Sequence, residues 1–202
     1  RMGLLVGQKI VVASHNAGKV QEIRTILQPL NLKIIAASEI GLKEPVEDGE
    51  SFEANARIKA ISARDSTGFA AISDDSGLVV PALSGSPGIY SARWAGPEKN
   101  YHNAIMMIEE QLGSLSKSAH FTCALAVALP SGACSTFLGR VFGQLAFPPR
   151  GTRGFGYDPI FQPDGFSETF GEMEAEAKHS LSHRARAFAK MQGQFFPREN
   201  YF

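Results

Sequence analysis

The chain has 202 residues, of which 44% are hydrophobic and 20% charged, and its 20 Lys+Arg are balanced by 20 Asp+Glu. This composition is that of an ordinary soluble globular protein and excludes disordered and collagen-like chains. A net charge of zero argues against bulk binding to nucleic acid, which needs a basic surface, but it leaves room for a small anion held by a local cluster of cations.

The length fits one domain spanning 1–202, with a core at about 9–192, and is sufficient to bury a proper interior. Two cysteines, Cys123 and Cys134, flank an expected hairpin, and reduced thiols are expected in preference to a disulfide. No Cys/His spacing suggests zinc, and no apolar run reaches membrane-spanning length. The start at Met2–Gly7 lacks the apolar region and cleavage site of a signal peptide, so a cytoplasmic location is expected. Arg1 and residues 199–202 are left outside the fold expectations.

In chain order, Ile10, Val11 and Val12 mark a buried strand over 9–14. A polar turn at 15–18 follows, then a helix over 19–28 with Val20, Ile23 and Leu27 at helical spacing and Pro29 at its end. A second strand at 32–37 completes a strand–loop–helix–strand order, which predicts a right-handed βαβ unit on a mostly parallel sheet. Residues 44–49 form an acidic loop. Ser51 is a plausible N-cap for a helix to about Ala63, with Asn55 and Lys59 four apart on one face. A short strand at 70–73 is expected to end in Asp74-Asp75-Ser76-Gly77. The Gly-, Ser- and Pro-rich stretch 81–96 reads as loop, and Pro97 fits the first turn of a helix to Leu112. Two strands, 120–129 and 133–145, joined by Pro130-Ser131-Gly132, read as a hairpin. A glycine-rich loop at 151–158 precedes a last helix at 180–191.

Five places on this frame carry chemistry. Ser14-His15-Asn16-Ala17-Gly18-Lys19 joins a strand to a helix, a junction that offers backbone N–H groups and a positive helix end to a phosphate. The P-loop spacing is absent, and a polar loop capping a helix is the simpler reading. Glu47, with Asn55 and Lys59, reads on local grounds first as a solvated ion pair, although a lysine among Ala56, Ala60 and Ala63 can reach a cleft. Side chains alternate along a strand, so one of Asp74 and Asp75 is expected to face a ligand crevice while the other serves structure. With Glu47, that aspartate makes a hard oxygen site suited to Mg2+; a turn closed by Asx hydrogen bonds is the alternative. Phe155, among Gly154, Gly156, Tyr157 and Asp158, could stack on a base or belong to the core. Lys178 and Ser182-His183-Arg184 group donors suited to an oxo group on a purine, or form a solvated basic face.

Taken together, SHNAGK (14–19), SFEANARIK (51–59), SDDSGL (73–78), PGIYSARWAG (87–96), GFGYDPIF (154–161) and SHR (182–184) resemble the inosine triphosphate pyrophosphatases, enzymes of non-standard purine nucleotides, in the family's order. Trp94 stands where the family pattern leads one to expect Tyr or Phe. The resemblance implies an elongated α/β fold with a central mixed sheet flanked by helices, two lobes with a substrate cleft between them, and a homodimer. It implies hydrolysis of ITP, dITP and XTP to the monophosphate and pyrophosphate. Ser14, His15, Asn16, Ala17, Gly18, Lys19 and Lys59 would bind the triphosphate, and Ser76 would contact substrate near the metal. Glu47 and Asp75 would hold Mg2+, with Asp75 also the base. Phe155, Gly156, Tyr157, Asp158, Lys178, His183 and Arg184 would form the nucleobase pocket. The rival readings are a pyrophosphatase for other modified nucleotides and a nucleotide-binding sensor without catalysis.

Overall fold

The computed structural model describes residues 7–196. The expectations about Arg1, about the start before Gly7 and about residues 199–202 lie outside the described residues. Six strands form one mixed sheet in the order β2-β1-β3-β4-β5-β6. They are β1 (Lys9–Val12), β2 (Lys33–Ala36), β3 (Ala70–Val79), β4 (Ser118–Ala128), β5 (Cys134–Leu145) and β6 (Phe161–Pro163). β1 runs parallel to both β2 and β3, as the βαβ expectation required, and β6 runs antiparallel to β5. The helices are α1 (Ala17–Leu27), α2 (Phe52–Thr67), α3 (Ser91–Trp94), α4 (Tyr101–Leu112), α5 (Ala175–Leu181) and α6 (His183–Phe195).

The chain divides into two compact units. The first holds residues up to Asp75, Cys123–Gly139 and those from Arg184 on; the second holds Ser76–Thr122 and Arg140–His183. In the first unit, strand alternation sorts side chains by size. Ile10, Val12, Ala70, Ile72, Cys123, Leu125 and Val127 meet Val20, Ile23 and Leu27 of α1 and Ala187, Phe188, Met191 and Phe195 of α6. The other strand positions are mostly small: Val11, Ala13 and Ala71 meet Ala63, while Ala124, Ala126 and Ala128 meet Ala56 and Ala60. Alanine against alanine lets α2 lie close to the sheet backbone, so a long side chain on α2 can reach past the strand edge.

In the second unit, α4 buries Ala104, Ile105, Ile108 and Leu112 in a core with Leu78, Val80, Val141 and Leu145. Phe121, Phe161 and Phe170 form its aromatic centre, with ring centroids 4.6–5.9 Å apart.

Three sequence expectations are corrected. β3 does not end before Asp74 but continues to Val79, past the end of β1, with β4 as its neighbour on the other side and with charged partners for both aspartates. Turn propensity at Asp74–Gly77 is overridden by those contacts. α4 starts at Tyr101 and not at Pro97: Pro97 lies in a turn, and the side chain of Asn100 caps the helix by accepting Asn103 N–H at 3.2 Å. The last helix is two helices broken at Ser182, whose backbone is extended at φ −66° and ψ 158°. Cys123 and Cys134 are free thiols. Among the described residues, no helix is long and apolar enough to cross a membrane.

Candidate functional site

The first unit gathers its charges where β3 outruns β1. The β1 register against β3 ends at Val12 opposite Ile72, so Ser73, Asp74 and Asp75 lie beyond the carboxyl end of β1. Alternation then separates the two aspartates. Asp74 continues the face of Ala70 and Ile72, on which α1 and α6 pack, and Asp75 continues the face of Ala71, on which α2 packs.

Asp74 pairs with Lys19 of α1, whose Nζ is 3.1 Å from Oδ1, and with Arg184 of α6, whose Nη2 is 3.0 Å from Oδ2. Asp75 faces Lys59 of α2 instead, with Nζ 3.8 Å from Oδ1. The same ammonium lies 2.8 Å from Glu47 Oε1 and donates to the Asp74 carbonyl at 2.7 Å. Glu47 and Asp75 are thus brought to one cation, and Asp74 is not the partner of Glu47. The geometry separates two residues that the sequence left interchangeable.

Burial pushes the Asp75 carboxyl up to about 6, against the fields of Lys59 and Lys19, which lower it, with Glu47 and Asp74 adding to the rise. Its Oδ2 is buried and has no hydrogen-bond partner among the described residues. Burial works against the Lys59 ammonium, but Asp75, Asp74 and Glu47 outweigh it and hold its pKa above the ordinary lysine value.

The 14–19 turn is preorganised by its own side chains. Ser14 Oγ accepts Asn16 N–H at 3.1 Å, and Asn16 Oδ1 accepts Lys19 N–H at 3.0 Å as the N-cap of α1. His15, Ala17 and Gly18 complete this helix start. The acidic loop is held by Asn55, whose Oδ1 accepts Gly49 N–H at 2.9 Å. A Cβ at Gly49 would come within 2.7 Å of that oxygen, so the loop closes onto α2 only with glycine there.

The second unit holds a different arrangement. Asp158 and Lys178 are both buried and paired at 2.6 Å, and Asp158 Oδ2 also accepts Phe155 N–H at 3.0 Å. Gly154 has φ +70°, and a Cβ there would lie 2.1 Å from Asp158 Oδ2. The glycine therefore admits the carboxylate. Lys178 Nζ lies 5.0 Å from the half-buried Phe155 ring, and Gly156 follows it. The Tyr157 ring is buried and its hydroxyl donates to Ser91 O at 2.6 Å, which occupies that hydroxyl within the protein. His183 is buried and stacks on Phe121 at 4.8 Å and 15°. Ser76, half-buried, follows Asp75 on β3.

Among the predicted residues, Lys19, Lys59, Glu47, Asp75 and Arg184 fall in the first unit with Ser14 and Asn16. Phe155, Asp158, Lys178 and His183 fall in the second. Sequence reasoning missed Glu22, whose carboxylate accepts Arg184 Nη1 and is buried on α1. It also missed Phe121 and Ser91. A charged residue inside the otherwise apolar stripe Val20, Ile23, Leu27 was the available signal for Glu22.

Among the described residues, no group of three or more His, Cys, Asp and Glu stands ready for a metal. Two carboxylates near one another, one with a buried unpaired oxygen, fit a hard cation that completes its shell with water and phosphate, as Mg2+ does.

A helix start with a lysine, a second lysine between two carboxylates and a parallel βαβ unit make an α/β frame of the kind that suits a phosphorylated ligand. The Ham1 family profile matches residues 10–194, and the chain belongs to the Ham1 family. It is 53% identical to the dITP/XTP pyrophosphatase of Caulobacter vibrioides over 95% of this chain and 100% of that protein. It is 50% identical to the dITP/XTP pyrophosphatase of Zymomonas mobilis over 91% of this chain and 90% of that protein. A solved Ham1 protein from Coxiella burnetii superposes with a TM-score of 0.84 at 35% identity, covering 93% of this chain and 98% of that one.

Proposed function

We propose that the chain is a nucleoside triphosphate pyrophosphatase that hydrolyses non-standard purine nucleotides (ITP, dITP and XTP) to the monophosphate and pyrophosphate. The observation that carries the reading is the Lys59 ammonium set against Glu47 and Asp75, with Lys19 one strand face away. The names of the relatives from Caulobacter vibrioides and Zymomonas mobilis support the substrate class.

Glu47 and Asp75 are the residues that would hold Mg2+, which when bound draws charge from phosphate oxygens. Asp75, with a pKa of about 6, is ionised at neutral pH yet basic enough to accept a proton from water attacking the α-phosphorus. Lys19, Lys59 and the N-H groups at the start of α1, with Ser14 and Asn16 shaping the turn, stabilise the charge that develops on the leaving pyrophosphate. Ser76 contacts substrate beside Asp75. Phe155 stacks on the base, and the Asp158–Lys178 pair fixes the loop from Gly156 through Tyr157.

His183 supplies a donor to the 6-oxo group of hypoxanthine or xanthine. Arg184, oriented by Glu22 and Asp74, contributes from the next position. Adenine presents an amino donor there in place of the 6-oxo acceptor, a mismatch that discriminates strongly. The resemblance further suggests a cytoplasmic homodimer, and light scattering on the eluting protein checks its mass.

Product analysis tests the reaction. Anion-exchange separation of an ITP digest should show IMP and pyrophosphate in equal amounts. IDP with phosphate would defeat the pyrophosphatase reading, and ITP bound without turnover would favour the sensor.

A further inference from the structure

Asp74 receives no chemistry in the proposed reaction, yet its carboxylate meets two cations, Lys19 and Arg184. Its side chain is fully buried and takes Lys19 through Oδ1 at 3.1 Å. Oδ2 accepts Nε and Nη2 of Arg184 at 3.1 and 3.0 Å, and Cys123 Sγ lies 3.6 Å away. The main-chain carbonyl of the same residue accepts Lys59 Nζ at 2.7 Å. Beyond Arg184 stands Glu22 of α1, also buried. Two carboxylates and two cations (Asp74, Glu22, Arg184 and Lys19) thus close a charge-balanced group, which is the condition for holding ions away from water.

We propose that Asp74 is the positioning residue for both phosphate-binding lysines, Lys19 and Lys59, and that Arg184 and Glu22 hold it in place for that task. The proposal rests on the reading that these lysines take the triphosphate. A lysine ammonium sits on a flexible stem with several rotatable bonds, so an unrestrained one spends much of its time away from its ligand. The Asp74 carboxylate fixes the Lys19 end, and its carbonyl fixes the Lys59 end. One residue of β3 therefore registers cations from α1 and α2 to the strand that carries Asp75. Glu22 shares the guanidinium of Arg184, so Asp74 is not wholly neutralised by it and keeps its field for Lys19. Buried ion pairs are weak stabilisers, which suits a group whose task is placement.

The test is calorimetric binding of inorganic tripolyphosphate to the full chain, with thermal melting to confirm folding. The proteins are wild type, Asp74→Asn, Lys19→Met and the double variant. Asp74→Asn should weaken binding by about tenfold or more, the scale of one lost charge-assisted contact. In the Lys19→Met background the same change should lose most of its effect, since coupled residues are not additive. ITP turnover by Asp74→Asn should show a raised KM as well as a lower kcat. Binding within twofold of wild type overturns the proposal, as does an equal loss in both backgrounds, which is what a merely structural role gives.

If Asp74→Asn does not fold, Glu22→Gln takes its place in the same cycle. It should give a smaller loss that again depends on Lys19, and a folded Glu22→Gln that binds tripolyphosphate as wild type does overturns the proposal. The probe needs no turnover. A wild type that binds it without cleaving ITP removes the enzymatic reading alone; a wild type that does not bind it removes the phosphate reading and this proposal together.

Discussion

Two buried carboxylates, one in each unit, are used in opposite ways. Asp158 is saturated: it lies 2.6 Å from Lys178, accepts Phe155 N–H, and sits where only glycine at 154 leaves room. Asp75 is left short: its nearest cation is 3.8 Å away, one oxygen is buried without a partner, and burial raises its pKa to about 6. A satisfied charge gives fixed geometry, and an unsatisfied one gives reactivity and a place for a cation. The pyrophosphatase reading needs both, a rigid loop for the base and a reactive oxygen for the phosphate.

The difference is sharpest under isosteric substitution. Asp75→Asn should lower kcat for ITP by about three orders of magnitude, the scale of a lost general base combined with a lost metal ligand, while nucleotide binding stays measurable by calorimetry. Wild-type turnover in that variant would remove Asp75 from the chemistry. Asp158→Asn should act on stability instead. It strips the buried Lys178 ammonium of its carboxylate, and urea unfolding should show a loss of about 3–5 kcal/mol. A loss under 1 kcal/mol would mean that the pair is not held as tightly as its distance indicates.

The opposite sign is expected for the stability of Asp75→Asn. The folded pKa of about 6 lies above the ordinary aspartate value of 3.8, so the native state binds the proton more tightly than the unfolded chain. Metal-free wild type therefore gains stability as pH falls from above 6 to below 4, and the ionised carboxylate destabilises it at higher pH. Asp75→Asn lacks that charge. With chelator present it should be more stable than wild type by up to about 3 kcal/mol at pH 8, with the difference disappearing below pH 4. A destabilised variant at pH 8 would contradict the raised pKa. The smallest effect is expected at the support of Glu47. Asn55→Ala, which frees Gly49 N–H, should raise the Mg2+ concentration for half-maximal ITP turnover by about five- to tenfold, with kcat at saturating Mg2+ nearly unchanged.

Local patterns made much of this legible in the sequence. The apolar run at Ile10–Val12, the spacing of Val20, Ile23 and Leu27, and the cap Ser51 correspond to β1, α1 and α2 in the structure. Features governed by distant neighbours were not legible. Asp74–Gly77 has turn composition, yet the neighbouring β4 and charges from three helices keep it in β3 beyond the end of β1. The break at Ser182 has no proline or glycine to announce it. Which aspartate belongs with Glu47 is a matter of strand parity relative to α2, visible only once Ala71 and Ala63 are seen to share a face. Glu22 and Arg184 are 162 residues apart, and no local spacing brings them together.

The most direct test is the initial rate of pyrophosphate release from ITP, XTP and ATP, each with Mg2+ and with chelator. The account predicts turnover of ITP and XTP with Mg2+, ATP slower by about 100-fold or more, and no release without the metal. Equal rates for ATP and ITP would contradict the base selectivity assigned to His183 and Arg184. Undiminished release in chelator would contradict the role assigned to Glu47 and Asp75.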